Sequence, residues 1–266
     1  MTTPASGAGW SDAPAAFDFA RDNGATASAG GDGGTASSRF PAQVQPWRNT
    51  QFDRYPEIFG VVSNLTLARQ DAAFKVLSYG CSTGEEVRTL AERYFHRCRI
   101  IGLDVSEAAI AAARERGGDT ANVLYDISDD QTLTAHGPYD AIFAMSVLCR
   151  WPESKDRASI RELFPFEHFA ERVAALDQAL RPGGFLVVAN ANYNFFDTVS
   201  SRNYDVVLAA RIASNGYVSH FDRLGQAAPS AASDCIYRKR EETKSGRVIR
   251  VLDEAGRQVG CIGLSP

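Results

Sequence analysis

Gly80, Ser82 and Gly84, read with Asp104 about twenty residues further on, have the types and spacing to hold a nucleoside. The apolar run 76–79 ends in the tight turn Gly80-Cys81-Ser82-Thr83-Gly84, and Glu85-Glu86 open an amphipathic stretch. A second apolar run, 99–103, ends on Asp104. This is the layout of a βαβ nucleotide-binding unit. Backbone N–H groups at a helix start hold a carboxylate. A carboxylate such as Asp104 has the acceptor sites to take two vicinal ribose hydroxyls. The turn reads Gly-x-Ser-x-Gly, without the G-x-G-x-x-G glycines that bring a backbone against a pyrophosphate. A nucleoside without a diphosphate fits it, and S-adenosylmethionine is the common one. Ser82 and the missing third glycine disfavour a nicotinamide dehydrogenase.

Residues that hold such a ligand need an alternating α/β frame, and the pattern supplies one. The apolar stripe Ile58, Phe59, Val62 and Leu65 predicts a helix over 55–67. Strand 75–79 leads to a helix over 84–96, with Val87, Leu90, Ala91 and Tyr94 on one face. Strand 99–103 leads to a helix over 107–116, with Ser106 as N-cap and Gly117-Gly118 as its stop. Strands follow at 122–125 and 140–145, then a helix over 166–180 and, after Arg181-Pro182-Gly183-Gly184, strand 185–190. The expectation is a Rossmann-like α/β fold: a mostly parallel seven-stranded sheet, helices on both faces, and an antiparallel C-terminal part. That last part is read as a helix near 198–213, strands at 217–221 and 235–239, and a hairpin of 248–252 with 258–262 joined by residues 253–256. The domain is expected over 46–240, with 241–266 as its hairpin extension. Residues 1–45, rich in Ala, Gly, Ser, Thr and Asp, read as a disordered tail.

Composition narrows the function classes. The 266 residues carry a formal net charge of −4, which opposes a general nucleic-acid grip. No apolar run approaches the length of a membrane span. The five cysteines, Cys81, Cys98, Cys149, Cys235 and Cys261, form no C-x-x-C pair and stand near no histidine at zinc-ligand spacing. They read as free thiols in a reducing compartment, with no metal site. The N-terminus lacks a charged segment followed by an apolar one, so the expected location is the cytoplasm.

The ordered set of Gly80 to Gly84, Asp104, Asp126, Tyr139-Asp140 and Leu180-Arg181-Pro182-Gly183-Gly184 resembles the class I S-adenosylmethionine-dependent methyltransferases across roughly residues 47–240. Within them, Gly80-Cys81-Ser82-Thr83-Gly84-Glu85-Glu86 is similar to the chemotaxis-receptor glutamate methyltransferases (CheR type). Thr50-Gln51-Phe52-Asp53-Arg54 is similar to that family's T-x-F-F-R stretch, and Ser146-Val147-Leu148 to its N-V-L. The resemblance implies that Thr50, Arg54 and Glu85 hold the methionine end of S-adenosylmethionine, with Gly80, Cys81, Ser82 and Gly84 in the cofactor turn. It further implies Asp104 and Val105 at the ribose, Asp126 and Ile127 beside the adenine, and Ser146 and Val147 on the cofactor floor. The chain departs from that type in three ways. The helical N-terminal domain is missing, Ser146 replaces an asparagine, and Arg150-Trp151 stand where the family has an aromatic pair.

The expected activity is therefore methyl transfer from S-adenosylmethionine to a small-molecule acceptor. The alternatives are a protein-glutamate methyltransferase of the chemotaxis type and a non-catalytic S-adenosylmethionine-binding protein. No residue is an obvious base. Arg150, Tyr193 and His168 are the candidate catalytic residues, and His168 and His220 are the possible bases. Arg150, at the substrate end of a strand, points to an acidic acceptor held by an arginine fork.

Overall fold

The computed structural model describes residues 44–46, 50–209, 218–229, 235–241, 247–252 and 258–264. The tail expected over 1–45 lies outside them except for Val44 and Gln45, as do residues 210–217 and 253–257. The first strands form where the apolar runs lie: β1 (Lys75–Tyr79), β2 (Arg99–Asp104), β3 (Val123–Ile127), β4 (Tyr139–Met145) and β5 (Leu180–Ala189). They pair in parallel as β3-β2-β1-β4-β5. The sheet continues through β9 (Ile236–Lys239) to β6 (Tyr204–Ala209), and β9 runs antiparallel to both its neighbours. These seven strands give the expected mixed sheet. The C-terminal hairpin is β10 (Arg247–Leu252) with β11 (Gln258–Leu264). It extends the same sheet past β6, with β10 parallel to that strand, so among the described residues the sheet has nine strands. A separate two-stranded ribbon pairs β7 (His220–Phe221) with β8 (Ala227–Ala228).

Helices cover both faces. α1 (Pro56–Thr66) starts on Pro56, whose ring fixes the first helical φ. α3 (Glu107–Arg116) is capped by the Ser106 hydroxyl, which accepts from Ala109 N at 3.3 Å, and closes at Gly117. α2 (Glu85–Thr89) is shorter than predicted, because residues Leu90–Tyr94 continue it as a π turn. α5 (Phe166–Ala179) buries Phe169, Val173 and Leu176 against the sheet. Two apolar clusters result. One holds Leu77, Ile142, Phe169 and Leu186; the other, on the opposite face, holds Phe59, Val76, Val87 and Phe143. This alternation along each strand is the period-2 signature of a sheet covered on both sides.

Two readings need correction. The helix expected near 198–213 is a short 3-10 turn at Ser200–Asn203 followed by strand β6. Val206 and Val207 are β-branched and pair with Tyr237 and Ile236 of β9, and that pairing decides against helix. The sequence pattern also passed over α4 (Asp130–His136), which buries only Leu133 and is held by a capping box between Asp129 and Thr132.

At the N-terminal edge of β4, Asp140 is an electrostatic rivet. Its side chain is 4% exposed and accepts from Arg69 Nη2 at 3.0 Å, Arg181 Nη1 at 3.1 Å and Lys75 N at 2.9 Å. Both guanidiniums are partly solvated, which moderates the value of the pairs. Asp140→Ala is expected to cost about 2–3 kcal/mol by stranding these donors. The melting temperature should then fall by roughly 5–10 °C, with ligand affinity at the far end of the strand unchanged. An unchanged melting temperature would show that the cluster is ornamental.

Candidate active-site cleft

The order β4-β1-β2 puts a crossover between β1 and β4, and the carboxyl ends of these strands open there into a cleft. Open α/β sheets bind ligands at such a switch point. The cleft encloses about 940 Å³ of space not filled by protein atoms, its mouth included. Its walls come from the turn after β1, the ends of β2, β3 and β4, and residues 44–45, 50–51 and 54–55 with Phe59.

The turn after β1 is fixed by backbone constraint. Gly80 has φ +76°, and a Cβ there would overlap the Val147 side chain. Gly84, at φ +92°, caps α2, and a Cβ would stand 2.8 Å from the Tyr125 hydroxyl. Only glycine combines the left-handed φ with that closeness. Between them, Ser82 N donates to Asp104 Oδ2 at 2.8 Å, while Asp104 Oδ1 accepts from Ser106 N at 2.9 Å. Each oxygen keeps a further acceptor site for a ligand. The Ser82 hydroxyl, on the cleft wall, is buried without a hydrogen-bond partner.

Charge in the cleft is arranged unequally. Among the described residues its charged lining is Glu86, Asp104 and Arg54. Glu86 accepts from Ser78 Oγ at 2.8 Å. Burial pushes its carboxyl up to about 7, against the opposing effects of the Ser78 bond and the Arg54 charge. The Cys81 and Cys149 thiols are pushed up by burial, so neither is a ready nucleophile. The floor is set by two left-handed residues at the ends of β4 and β5, Ser146 (φ +56°) and Asn190 (φ +55°). Asn190 Nδ2 donates to Ser146 Oγ at 2.8 Å and to Tyr55 Oη at 3.1 Å, and the two hydroxyls are 2.8 Å apart.

Of the expected cofactor residues, Thr50, Arg54, Gly80, Cys81, Ser82, Asp104, Val105, Ser146 and Val147 line this cleft. Others do not. Glu85 turns outward, where it pairs with Arg116 and accepts from Thr83 Oγ1 at 2.7 Å, and Glu86 occupies the inward position. Gly84 stands behind the turn as a helix cap. Asp126 is engaged by His136 Nε2 at 2.9 Å and by Ile127 N, and neither Asp126 nor Ile127 reaches the cleft; Ser128 does.

The acceptor candidates are also placed elsewhere. Arg150 Nε donates to Glu153 Oε2 at 2.8 Å and its Nη1 to Val44 O at 3.0 Å, so it braces residue 44 and lines no cleft wall. Tyr193 is 2% exposed among Phe164, Phe166 and Phe169, with its hydroxyl on Phe164 O. His168 is buried edge-on to Phe164. Sequence reasoning missed Tyr55, Gln45 and Val44, which lack any motif and reach the cleft only through tertiary contacts. Among the described residues, no group of three or more His, Cys, Asp or Glu is placed to hold a metal, and no helix is long and apolar enough to cross a membrane.

Residues 76–166, which span the turn, Asp104 and Ser146, match the family model described as a methyltransferase domain. An uncharacterized methyltransferase of Emericella nidulans, AN0656, is 27% identical over 187 residues, 65% of this chain and 60% of that protein. The trans-aconitate 2-methyltransferase of Deinococcus radiodurans is 31% identical over 114 residues, 43% of this chain and 36% of that one. The chain thus spans less than two thirds of these curated relatives. Among solved structures, the N-methyltransferase NodS of Bradyrhizobium japonicum WM9 aligns over 70% of this chain and 96% of its own, at 16% identity and a TM-score of 0.43. The matched region is similar to class I S-adenosylmethionine-dependent methyltransferase domains.

The lining fits that cofactor. Asp104 has acceptor sites for a ribose, Ser82 has a buried hydroxyl in need of a partner, and two carboxylates against one guanidinium favour a cation. Glu86 tests the electrostatics in the ligand-free protein. Its folded pKa, about 7, stands above the ordinary 4.5, so its contribution to stability is present at acid pH and is lost as pH rises through 7. Glu86→Gln removes that loss and keeps an acceptor for Ser78. The melting-temperature difference, variant minus parent, is expected to grow from pH 5 to pH 8. A difference independent of pH would show that Glu86 is well solvated.

Proposed function

We propose that this chain transfers a methyl group from S-adenosylmethionine to a small-molecule acceptor in the cleft between β1 and β4. The observation that carries the reading is the charged lining. Asp104 and Glu86 face the space beside the Gly80 to Gly84 turn with Arg54 as the single described cation there. S-adenosylmethionine supplies the electrophile, a methyl group on a sulfonium, so the protein's task is to orient a nucleophile in line with it in a dry site.

In this reading Asp104 accepts from the ribose hydroxyls while its backbone bonds keep it oriented. Arg54 and Thr50 take the methionine carboxylate, with Ser82 beside it. Glu86 takes the ammonium, a pairing that returns a half-buried carboxyl to its charged form. Val105, Ser128 and Met145 enclose the base. The chemotaxis-type resemblance contributes the assignments of Thr50 and Arg54. The acceptor lies against Val44, Gln45, Thr50, Gln51 and Leu148, walls without charge.

Calorimetry should show binding of both S-adenosylmethionine and S-adenosylhomocysteine. Asp104→Asn keeps one acceptor for the turn but removes the charge, and should weaken both ligands about ten- to a hundredfold. Affinity equal to the parent's would move the ribose elsewhere. With methyl-labelled S-adenosylmethionine and a cell extract, label should enter the small-molecule fraction. Enzyme-dependent label confined to protein would overturn the small-molecule reading.

A further inference from the structure

The chain at Asp53 is locked to the helix that carries Glu86, and the lock uses an irregular turn. Asp53 adopts φ +54°, a left-handed conformation that Asp tolerates better than most residues. Its backbone N donates to Thr89 Oγ1 at 2.8 Å. Its Oδ1 accepts from Tyr94 Oη at 2.8 Å, and its Oδ2 pairs with Arg93. The neighbouring Phe52 ring lies 5.0 Å from the Arg93 guanidinium and 5.8 Å from that of Arg88.

Helix geometry explains why three residues of one helix meet a single aspartate. At about 100° per residue, an α-helix puts position 93 over 89 and swings 94 well to the side. The π turn at Leu90–Tyr94 closes i to i+5, so Arg93 and Tyr94 straddle the line through Thr89. Such a turn is tolerated where a specific contact compensates for it, and the contact here is Asp53. Residues flanking Asp53 are the cleft-wall residues Thr50, Gln51, Arg54 and Tyr55. Thr89 in turn donates to Glu85 O, one residue from Glu86.

We infer that Asp53, held by the π turn through Thr89, Arg93 and Tyr94, is a positioning residue for methyl transfer that keeps the 50–55 wall closed on the cofactor. It touches no reacting atom. It acts by holding Arg54, Thr50 and Tyr55 at the distance the ligand requires, and loosening it speeds ligand release. This inference rests on the proposed cofactor site.

The test measures S-adenosylhomocysteine dissociation by stopped-flow displacement, alongside melting temperature, for the parent and four variants of the full chain. Tyr94→Phe removes one bond without touching the backbone. Asp53→Asn keeps the left-handed tolerance and loses the charge. Ser63→Ala is the structural control, since Ser63 Oγ donates to the Tyr94 carbonyl at 2.7 Å and accepts from Gln70 Nε2 at 3.2 Å, on the α1 side and without contact to Asp53. Dissociation should quicken about three- to tenfold in Tyr94→Phe and Asp53→Asn, and their double variant should be less than additive. Ser63→Ala should lower the melting temperature and leave dissociation at the parent rate. Parent-like dissociation in both Asp53 and Tyr94 variants overturns the inference while the cofactor site stands. Acceleration in Ser63→Ala as large as in Tyr94→Phe also overturns it, because the effect would then be general loosening. If the parent chain binds no S-adenosylhomocysteine, the inference and the reading beneath it fall together.

Discussion

The Asp104 carboxylate accepts one backbone N–H from the turn after β1 and one from the start of α3, and the cleft takes its shape from that pair of bonds. The bond to Ser82 spans the gap between two strand ends, and Ser82 itself sits at φ +50°. Without an acceptor there, the turn would carry an unsatisfied N–H at the edge of the core. With it, Gly80 passes close to Val147, Ser82 stands on the cleft wall, and α2 begins at Gly84 with Glu86 turned inward. A residue that holds the turn and also faces the ligand is pre-oriented, so binding requires little reorganisation.

Around that anchor the charges divide by position along the strands. Asp140 and its arginines sit at the N-terminal edge, where they tie β1, β4 and the start of β5 together. The ionisable groups at the carboxyl ends are more sparsely paired. Glu86 is kept by burial near the middle of the neutral range, a cost to the ligand-free fold that a bound cation offsets. The wall opposite is borrowed from residues far away in sequence. Arg150 clamps Val44, Gln45 donates to Cys149 Sγ at 3.1 Å, and Tyr55 joins the Ser146–Asn190 floor.

Much of this was legible because periodicity and turn chemistry act locally. The parallel strands, the Ser106 cap, the glycine turn and Asp104 follow from neighbours within a few residues. Elsewhere a distant partner decides how a residue is placed. Glu85 and Glu86 are adjacent acids at a helix start, and only Ser78 and the outward Arg116 distinguish them. Asp126 looked poised for a ligand until His136 engaged it from α4, a helix too short and too polar to show a stripe. Arg150 and Tyr193 stand at strand ends where substrates bind, but a carboxylate three residues on and an aromatic cluster hold them away. The β6 segment read as helix because its strand character appears only through pairing with β9.

A crystal structure of the chain with S-adenosylhomocysteine tests the central claim most directly. Both ribose hydroxyls should lie on Asp104 within hydrogen-bond distance, with the amino group on Glu86 and the carboxylate beside Ser82 and Arg54. A ligand bound with Asp104 still limited to its two backbone partners, or with its amino group on the outward Glu85, would contradict it.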